Sequence, residues 1–164
     1  MTAGVMKVLI CDDNESDRLM IRYALRKDDP LTDVVDAGDC EEARQKLAGR
    51  DVIIIDQRML GTRGVDCIRE IRGDGFRGAL VMLTGYLEEK VVAEAVFNGA
   101  DNFIIKSALL EGLVPGIRRA LELRAESMQT TADAEYKKRV LDEIIHRLDK
   151  TLRDQGGDKD GSGQ

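Results

Sequence analysis

The sequence predicts an α/β fold in which a parallel sheet is covered by helices on both faces. Five short apolar segments, each long enough for one strand, alternate with five segments that have the apolar spacing of a helix. Segment 52–55 is apolar at four consecutive positions, which is typical of a strand buried on both faces. Four of the five predicted strands also end in polar residues. Right-handed crossovers between parallel strands bring such strand ends to one edge of the sheet.

The order of the elements follows from the apolar pattern. The predicted strands are 5–10, 33–37, 52–55, 79–83 and 102–105. The predicted helices are 15–27, 39–48, 65–72, 88–98 and 109–126. Asp39 is predicted to cap the second helix, where Glu42 completes a capping box, and Gly99 is predicted to follow the end of the fourth. The inward stripe expected for the first helix consists of Leu19, Met20, Tyr23 and Ala24.

The composition of the 164 residues excludes several classes of protein. The net charge of −6 leaves no basic stripe for nucleic acid, which we therefore do not expect as a ligand. No apolar run approaches the ~20 residues that span a bilayer, and residues 1–7 lack the layout of a signal peptide. Cys11, Cys40 and Cys67 have neither zinc-ligand nor Cys-x-x-Cys spacing. We therefore expect reduced thiols in a cytoplasmic protein that has no membrane partner.

Carboxylates, a hydroxyl and an amine are predicted to meet at the carboxyl edge of the sheet. Asp12 and Asp13 follow the first strand, and Asp56 follows the third. Thr84 follows the fourth strand, and Lys106 follows the fifth. Three carboxylates close together repel one another unless a cation lies between them, and hard oxygen ligands suit Mg²⁺. The hydroxyl and the ammonium group would suit the oxygens of a phosphoryl group, so Asp56 is the candidate reactive carboxylate.

With these residues the sequence resembles the receiver domain of two-component response regulators, over about residues 5–124. The motifs that carry the resemblance are Asp12-Asp13, Asp56 with Met59 three residues later, Thr84-Gly85, the stretch Asn98-Gly99-Ala100-Asp101, and Lys106. The resemblance implies a flavodoxin-like, doubly wound sheet of five parallel strands in the order 2-1-3-4-5. It also implies a signalling switch rather than an enzyme, with at most self-catalysed phosphotransfer and dephosphorylation.

The resemblance also assigns the acidic residues. It implies that Asp56 accepts phosphate from a phosphohistidine on a histidine kinase or phosphotransfer protein. It implies that Asp13, Asp56 and the main-chain carbonyl of Arg58 hold Mg²⁺, with Asp12 acting through water. Considered alone, Asp12 has another interpretation, as the N-cap of the first helix. A phosphatase of the haloacid dehalogenase type also forms an aspartyl phosphate. Such an enzyme requires a second aspartate two residues after the nucleophile, where this chain has Arg58, so the sequence speaks against this alternative.

The remaining site residues follow from the same resemblance. Thr84 and Lys106 would bind the acyl phosphate, and Phe103 matches the aromatic switch that moves inward when Thr84 turns toward the phosphate. Arg58 and Tyr86 match positions that flank the phosphate and affect its lifetime. Each has a plainer interpretation, Phe103 as a core aromatic and the other two as solvated loop side chains. The surface that would change on phosphorylation is the helix-strand-helix unit 88–124.

The sequence departs from the family pattern at three positions. Ser107 and Leu60 stand where the family usually has proline, and the switch residue Phe103 is not tyrosine. The family proline follows a cis bond, which is costly before other residues, so a trans Lys106–Ser107 bond with a displaced lysine is an open alternative. The changes at Leu60 and Ser107 also favour a second interpretation. In it, the fold is a constitutive dimerisation scaffold. A separate alternative is that the chain is the N-terminal part of a longer signalling protein.

The chain continues beyond the receiver region. Residues 125–132 are predicted to be a linker, 133–155 an amphipathic helix and 156–164 a flexible tail. A short isolated helix is marginal in water, so this one packs on the receiver, pairs with a second copy or links to a further domain. We expect a homodimer, through this helix or through the 88–124 surface. His146 lies on the charged side and is not expected to transfer phosphate. The apolar seam of the helix is Leu141, Ile145, Leu148 and Leu152.

Overall fold

The structure is a computed structural model that describes residues 4–127 and 133–156. The five strands of the main sheet are β1 Lys7–Cys11, β2 Asp33–Ala37, β3 Val52–Asp56, β4 Ala79–Thr84 and β5 Asn102–Ile105. The helices are α1 Glu15–Asp28, α2 Cys40–Arg44, α3 Gly64–Gly73, α4 Glu89–Asn98, α5 Leu109–Ser127 and α6 Asp133–Gly156. The strands are parallel and lie in the order β2-β1-β3-β4-β5, which confirms the predicted order. A two-stranded hairpin, Arg58–Met59 with Thr62–Arg63, follows β3.

The sheet is buried on both faces because successive side chains along a strand point to opposite sides. In β1, Val8 and Ile10 belong to the apolar cluster that α1 and α5 cover. Leu9 and Cys11 belong to the cluster that α2, α3 and α4 cover. The central strand β3 is buried along its whole length, including its last residue, Asp56. The fold is therefore doubly wound, as predicted.

The first helix turns a different side to the sheet from the one that its sequence suggested. Its buried residues are Ile21, Ala24 and Leu25. The other three residues of the predicted stripe are exposed, and they are Leu19, Met20 and Tyr23. Apolar residues occur on more than one side of this helix, so their spacing alone did not determine which side faces the core.

The second helix is shorter than predicted. It ends at Arg44, although the helical pattern suggested an end near residue 48. Its predicted cap is confirmed, because the side chain of Asp39 accepts the N–H of Glu42 at 2.8 Å. The other half of the capping box is shifted by one residue, since Glu42 Oε2 accepts the N–H of Gly38 at 2.9 Å.

Two of the cysteines are bonded to each other. Cys40 at the start of α2 forms a disulfide with Cys67 in α3, and their Cα atoms are 5.7 Å apart. The expectation of reduced thiols is therefore wrong for this pair. The two residues are 27 positions apart, and only the packing of α2 beside α3 brings them together. Cys11 is a free, buried thiol.

Gly99 ends the fourth helix, as predicted, in a conformation that suits glycine. Its φ is +118°, and a Cβ atom there would lie 2.6 Å from Cγ of Arg72. The Arg72 guanidinium passes this point to donate to the Gly99 carbonyl, with Nη2 and the oxygen 2.9 Å apart. The same guanidinium reaches the carboxylate of Asp101 at 2.8 Å. The Asn98–Asp101 stretch is thus bonded to a partly buried arginine.

The carboxyl-terminal boundaries differ a little from the prediction. The fifth helix continues to Ser127, so residues 125–127 are helix rather than linker. The rest of the predicted linker, 128–132, and the predicted tail from 157 onward lie outside the described residues. The last helix is described from Asp133 to Gly156. Among the residues that the structure covers, no helix is both long and apolar enough to cross a bilayer.

The sixth helix packs on its own chain, against α4, α5 and β5. Its buried residues are Tyr136, Val140 and Ile144. Their stripe lies one position before the predicted seam, of which Leu141, Ile145 and Leu148 are half-buried. The side chain of Leu152 lies outside the described residues. The helix thus packs on its own chain through a stripe next to the predicted seam, and pairing with a second copy through the half-buried seam stays a prediction.

Candidate functional site

Four strand ends place the predicted site residues at one edge of the sheet. Asp12 follows β1, and Asp56 is the last residue of β3. Thr84 is the last residue of β4, and Lys106 opens a 3-10 turn directly after β5. Because the strands are parallel, these side chains converge where ligands bind in open α/β sheets.

Three of the predicted carboxylates form one acidic cluster. Asp12, Asp13 and Asp56 each contribute an oxygen that lies within 4.8 Å of the others. Asp12 and Asp56 are only 1% and 4% exposed, whereas Asp13 lies at the surface and accepts the N–H of Leu60 at 2.8 Å. Within the described part of the chain, the buried Oδ2 of Asp12 has no hydrogen-bond partner. An unpartnered carboxylate oxygen beside two further carboxylates fits a hard divalent cation such as Mg²⁺.

The N-cap interpretation of Asp12 does not hold in the structure. Asn14 is the residue that caps α1, because its side chain accepts the N–H of Asp17 at 3.0 Å. Asp12 Oδ1 instead accepts the N–H of Asn14 at 2.9 Å. This bond orients the Asp12 carboxylate and leaves its second oxygen free to face the acidic cluster.

Burial raises the pKa of both inner carboxylates. The pKa of Asp12 rises from 3.8 to about 6, chiefly because burial disfavours the charged form, and the negative charge of Asp56 adds to the effect. Burial also raises the pKa of Asp56, although the ammonium group of Lys106 opposes this shift. The site therefore holds more negative charge than its surroundings stabilise, and a bound cation would relieve it.

These shifts predict how replacing Asp12 by asparagine changes stability. A carboxyl whose pKa rises on folding stabilises the fold when protonated, and this contribution is lost as the pH rises through the folded pKa, here about 6. The Asp12→Asn protein without metal should therefore be more stable than the wild type at about pH 7.5, by about 1–3 kcal/mol. The gain should vanish near pH 4. Urea unfolding in a chelator measures both, and a less stable variant at the higher pH would contradict the assigned shift.

The amine of Lys106 reaches the site although serine follows it. Its Nζ lies 3.0 Å from Oδ1 of Asp56 and 3.0 Å from Oδ2 of Asp17. No cis peptide bond occurs in residues 4–127 or 133–156, so the Lys106–Ser107 bond is trans. The departure at Ser107 thus leaves the lysine in contact with the candidate phosphoacceptor.

The hydroxyl of Thr84 is engaged away from Asp56 in this structure. It donates to the carbonyl of Tyr86 at 2.8 Å and lies in contact with Oε1 of Gln57. Thr84, Asp56 and Lys106 nevertheless line one small cavity of about 120 Å³. Gln57 lines it too, so a group bound there would meet the carboxylate, the hydroxyl and the amine together.

Arg58 and Tyr86 pair with each other at the same cavity. Arg58 Nη2 donates to the Tyr86 hydroxyl at 2.6 Å, and the guanidinium carbon lies 5.1 Å from the ring centroid. Both side chains are exposed, but they are not independent solvated groups. They line one side of the cavity together.

Phe103 is already buried. Its side chain is 4% exposed and belongs to the same apolar cluster as Val140 and Ile144 of α6. The ring thus has no outward position in this structure from which to move inward. This arrangement favours the plainer interpretation of Phe103 as a core aromatic beneath the last helix.

Two residues of the site were not predicted. Asp17 contacts Lys106 from the first turn of α1, and Gln57 contacts Thr84 from the position after Asp56. Gln57 carried a usable signal, because it directly follows the candidate phosphoacceptor. Asp17 carried none, since an acidic residue in the first turn of a helix is common for reasons of the helix dipole.

Comparison with known proteins agrees with this geometry. The family described as "Response regulator receiver domain" matches residues 8–118. The nitrate/nitrite response regulator protein NarP of Escherichia coli (strain K12) is 33% identical over 119 residues, which cover 71% of this chain and 55% of NarP. The response regulator protein VraR of Staphylococcus epidermidis is 29% identical over 119 residues, which cover 71% of this chain and 57% of VraR. The chain thus spans little more than half the length of these relatives.

Solved structures share the fold. The chemotaxis protein CheY4 of Vibrio cholerae is similar with a TM-score of 0.66 and 28% identity, covering 71% of this chain and 99% of CheY4. A response regulator receiver domain from Clostridium thermocellum has a TM-score of 0.66 and 24% identity, covering 77% of this chain and all of that one, and it supports the fold alone. Because the family match extends over more than half of the sequence and agrees with the strand order, the chain belongs to the response regulator receiver domain family of two-component signalling.

Proposed function

We propose that this chain accepts a phosphoryl group on Asp56 from a phosphohistidine of a histidine kinase or phosphotransfer protein in the cytoplasm. One observation carries the proposal. The Asp56 carboxylate lies in a cluster with Asp12 and Asp13, whose oxygens are within 4.8 Å of one another. Its own Oδ1 is 3.0 Å from the ammonium of Lys106. A carboxylate nucleophile beside an oxygen-rich cation site and a fixed amine suits phosphoryl transfer.

The transfer step follows from this arrangement. An oxygen of Asp56 attacks phosphorus, so a P–O bond forms while the P–N bond of phosphohistidine breaks. The imidazole nitrogen leaves with the electron pair and takes up a proton from solvent. Asp12, Asp13, Asp56 and the carbonyl of Arg58 would hold Mg²⁺, which when bound supplies positive charge against the carboxylates and phosphoryl oxygens. Lys106 would stabilise the charge on a second phosphoryl oxygen.

The phosphoryl group would then change a surface through Thr84. Its hydroxyl carries a single proton, so it cannot donate to the Tyr86 carbonyl and to a phosphoryl oxygen at the same time. Turning toward the phosphate would release residues 85–88, which lead directly into α4. We therefore place the responding surface on the unit α4–β5–α5, between residues 88 and 124. A change of structure at the site would bias two states of this surface.

A perturbation of amide signals tests the proposal. Mg²⁺ and beryllofluoride, a stable mimic of an aspartyl phosphate, are added to the isotope-labelled chain and NMR spectra are compared. We expect the backbone amides of residues 84–106 to shift in the wild type and to stay unchanged in Asp56→Asn. If both proteins behave alike with no shift, the proposal fails.

The scaffold interpretation has its own measurement. Sedimentation with and without beryllofluoride distinguishes a switch from a constitutive dimer. An identical dimer in both states, with no amide response, would favour the scaffold. We expect instead that the amide response occurs whatever the state of assembly, because the residues at the site are complete within one chain.

A further inference from the structure

The responding surface is covered by the chain itself. The last helix contacts α4, α5 and β5, which are the three elements of that surface. Tyr136, Val140 and Ile144 are buried in this contact and share an apolar cluster with Phe103. A partner protein that binds the α4–β5–α5 surface would therefore have to displace α6.

The most deeply buried polar partner of this helix is Asp101, which is 0% exposed. The Tyr136 hydroxyl donates to Oδ1 of Asp101. Without Tyr136 the carboxylate would still have Arg72 at 2.8 Å and Arg124 at 3.1 Å, as well as the N–H of Leu80 at 2.8 Å. The Asp101 carboxylate would therefore remain paired if the tyrosine moved away. Because no buried charge is left without a partner, separating α6 from the receiver carries no large electrostatic penalty at this position.

Two further polar contacts of α6 are equally replaceable. Arg147 donates to Oδ1 of Asn102 at 2.6 Å, but this oxygen also accepts the N–H of Phe103 at 2.8 Å. The ion pair between Arg119 and Glu143, at 2.8 Å, is partly exposed on both sides, so water can solvate both groups if they separate. Asp101 and Asn102 thus keep other partners when α6 leaves, and Arg119 is open to solvent.

The far end of the helix lies close to the site. A cavity of about 420 Å³ separates its Ile145 and Leu148 from the loop that contains Tyr86 and from Ser107. These two receiver segments directly follow Thr84 and Lys106, the proposed phosphate ligands. The helix is tightly packed at Tyr136 and loosely packed at this cavity. A movement of either segment would therefore first disturb the part of α6 around Ile145 and Leu148, where the helix is least tightly packed.

From these observations we propose that α6 is an intramolecular cap on the α4–β5–α5 surface, fastened by Tyr136 on Asp101 and released when Asp56 is phosphorylated. The proposal rests on the proposed phosphorylation of Asp56 and adds a regulatory element to it. In the unphosphorylated chain the helix hides the surface from partners. In the phosphorylated chain, the segments after Thr84 and Lys106 rearrange. This rearrangement weakens the packing of α6 on the receiver and exposes the α4–β5–α5 surface.

Hydrogen exchange of the full chain tests the release. Peptides from 133–156 and from 84–106 are followed in a chelator and in Mg²⁺ with beryllofluoride. We expect exchange in 133–156 to become about tenfold faster or more with beryllofluoride, while the β1 and β3 peptides do not change. If 84–106 respond and 133–156 do not, the cap is overturned and the proposed function stands. If neither segment responds, the proposed function fails and the cap fails with it.

A single hydroxyl tests the coupling in the other direction. Tyr136→Phe removes the bond to Asp101 and keeps the ring, and Tyr23→Phe on the exposed side of α1 is the matched control. We expect Tyr136→Phe to speed exchange in 133–156 several-fold without beryllofluoride and to tighten beryllofluoride binding, because coupling between two equilibria is reciprocal. The Tyr23 variant should match the wild type. A Tyr136 variant with a loosened helix and unchanged beryllofluoride affinity would show that α6 is a static extension.

Discussion

Replacing Asp56 by asparagine should abolish phosphorylation of the chain by acetyl phosphate in the presence of Mg²⁺. The wild type should gain the mass of one phosphoryl group, and the variant none. The reason is chemical, because the amide oxygen is a poor nucleophile and cannot form the acyl phosphate. The change in structure is small, since asparagine has the shape of aspartate and Asp56 has a raised pKa in its buried position. Mass spectrometry of the intact protein measures the outcome.

The matched control is Asp51→Asn, at the other end of the same central segment. Asp51 is exposed, and its carboxylate accepts the N–H of Lys7 at 2.8 Å. It lies away from the acidic cluster, so its variant should be phosphorylated like the wild type. Uptake of one phosphoryl group by Asp56→Asn would show that a different residue is the acceptor and would remove the basis of the proposed function.

The second large effect concerns stability. Asp101→Asn should lower the free energy of unfolding by about 2–4 kcal/mol, because it leaves two partly buried guanidinium groups without their counter-charge. These groups belong to Arg72 and Arg124, which lie 2.8 and 3.1 Å from the carboxylate. Urea unfolding of the two proteins at neutral pH gives the difference. A change smaller than about 1 kcal/mol would mean that the network contributes little.

The control for this variant is an ion pair at the surface. Asp28 pairs with Arg118 at 2.8 Å, and both side chains are exposed to solvent. Asp28→Asn should change the free energy of unfolding by less than about 1 kcal/mol, because exposed pairs are weak. The contrast between the two variants separates the effect of burial from the effect of losing a charge. If Asp101→Asn fails to fold, Arg124→Gln removes one partner of the same carboxylate and should also destabilise by more than the control.

The sheet could be predicted because its signals are local. Each strand is a short apolar run, and β3 has four such residues in succession before Asp56. Gly99 marked the end of α4 and Asp39 the start of α2, since both positions require particular residue types. The parallel arrangement then followed from the alternation of strands and helices. The strand order came from the family resemblance, and the structure confirms it.

The orientation of two helices could not be predicted in the same way. In α1 the exposed residues include Tyr23, and in α6 the buried stripe begins at Tyr136 rather than on the leucine seam. Both helices carry apolar residues on more than one side. The side that faces the core is decided by the partner surface, and the sequence of one helix does not contain that information.

The site residues likewise divide into those that the sequence predicts and those that depend on packing. Asp12, Asp13, Asp56 and Lys106 were found because each follows a strand, and parallel strands bring their ends together. Asp17 was missed because it comes from a helix. The disulfide of Cys40 with Cys67 depends on the packing of α2 beside α3 and not on any spacing in the sequence.

The most direct test of the central claim is a crystal structure of the full chain with Mg²⁺ and beryllofluoride. We expect the beryllium atom to be bonded to a carboxylate oxygen of Asp56. The hydroxyl of Thr84 should have left the carbonyl of Tyr86, and the amine of Lys106 should have left Asp17, so that both contact fluorine atoms. An unmodified Asp56 with beryllofluoride at another position, or with Thr84 still bound to Tyr86, would contradict the account.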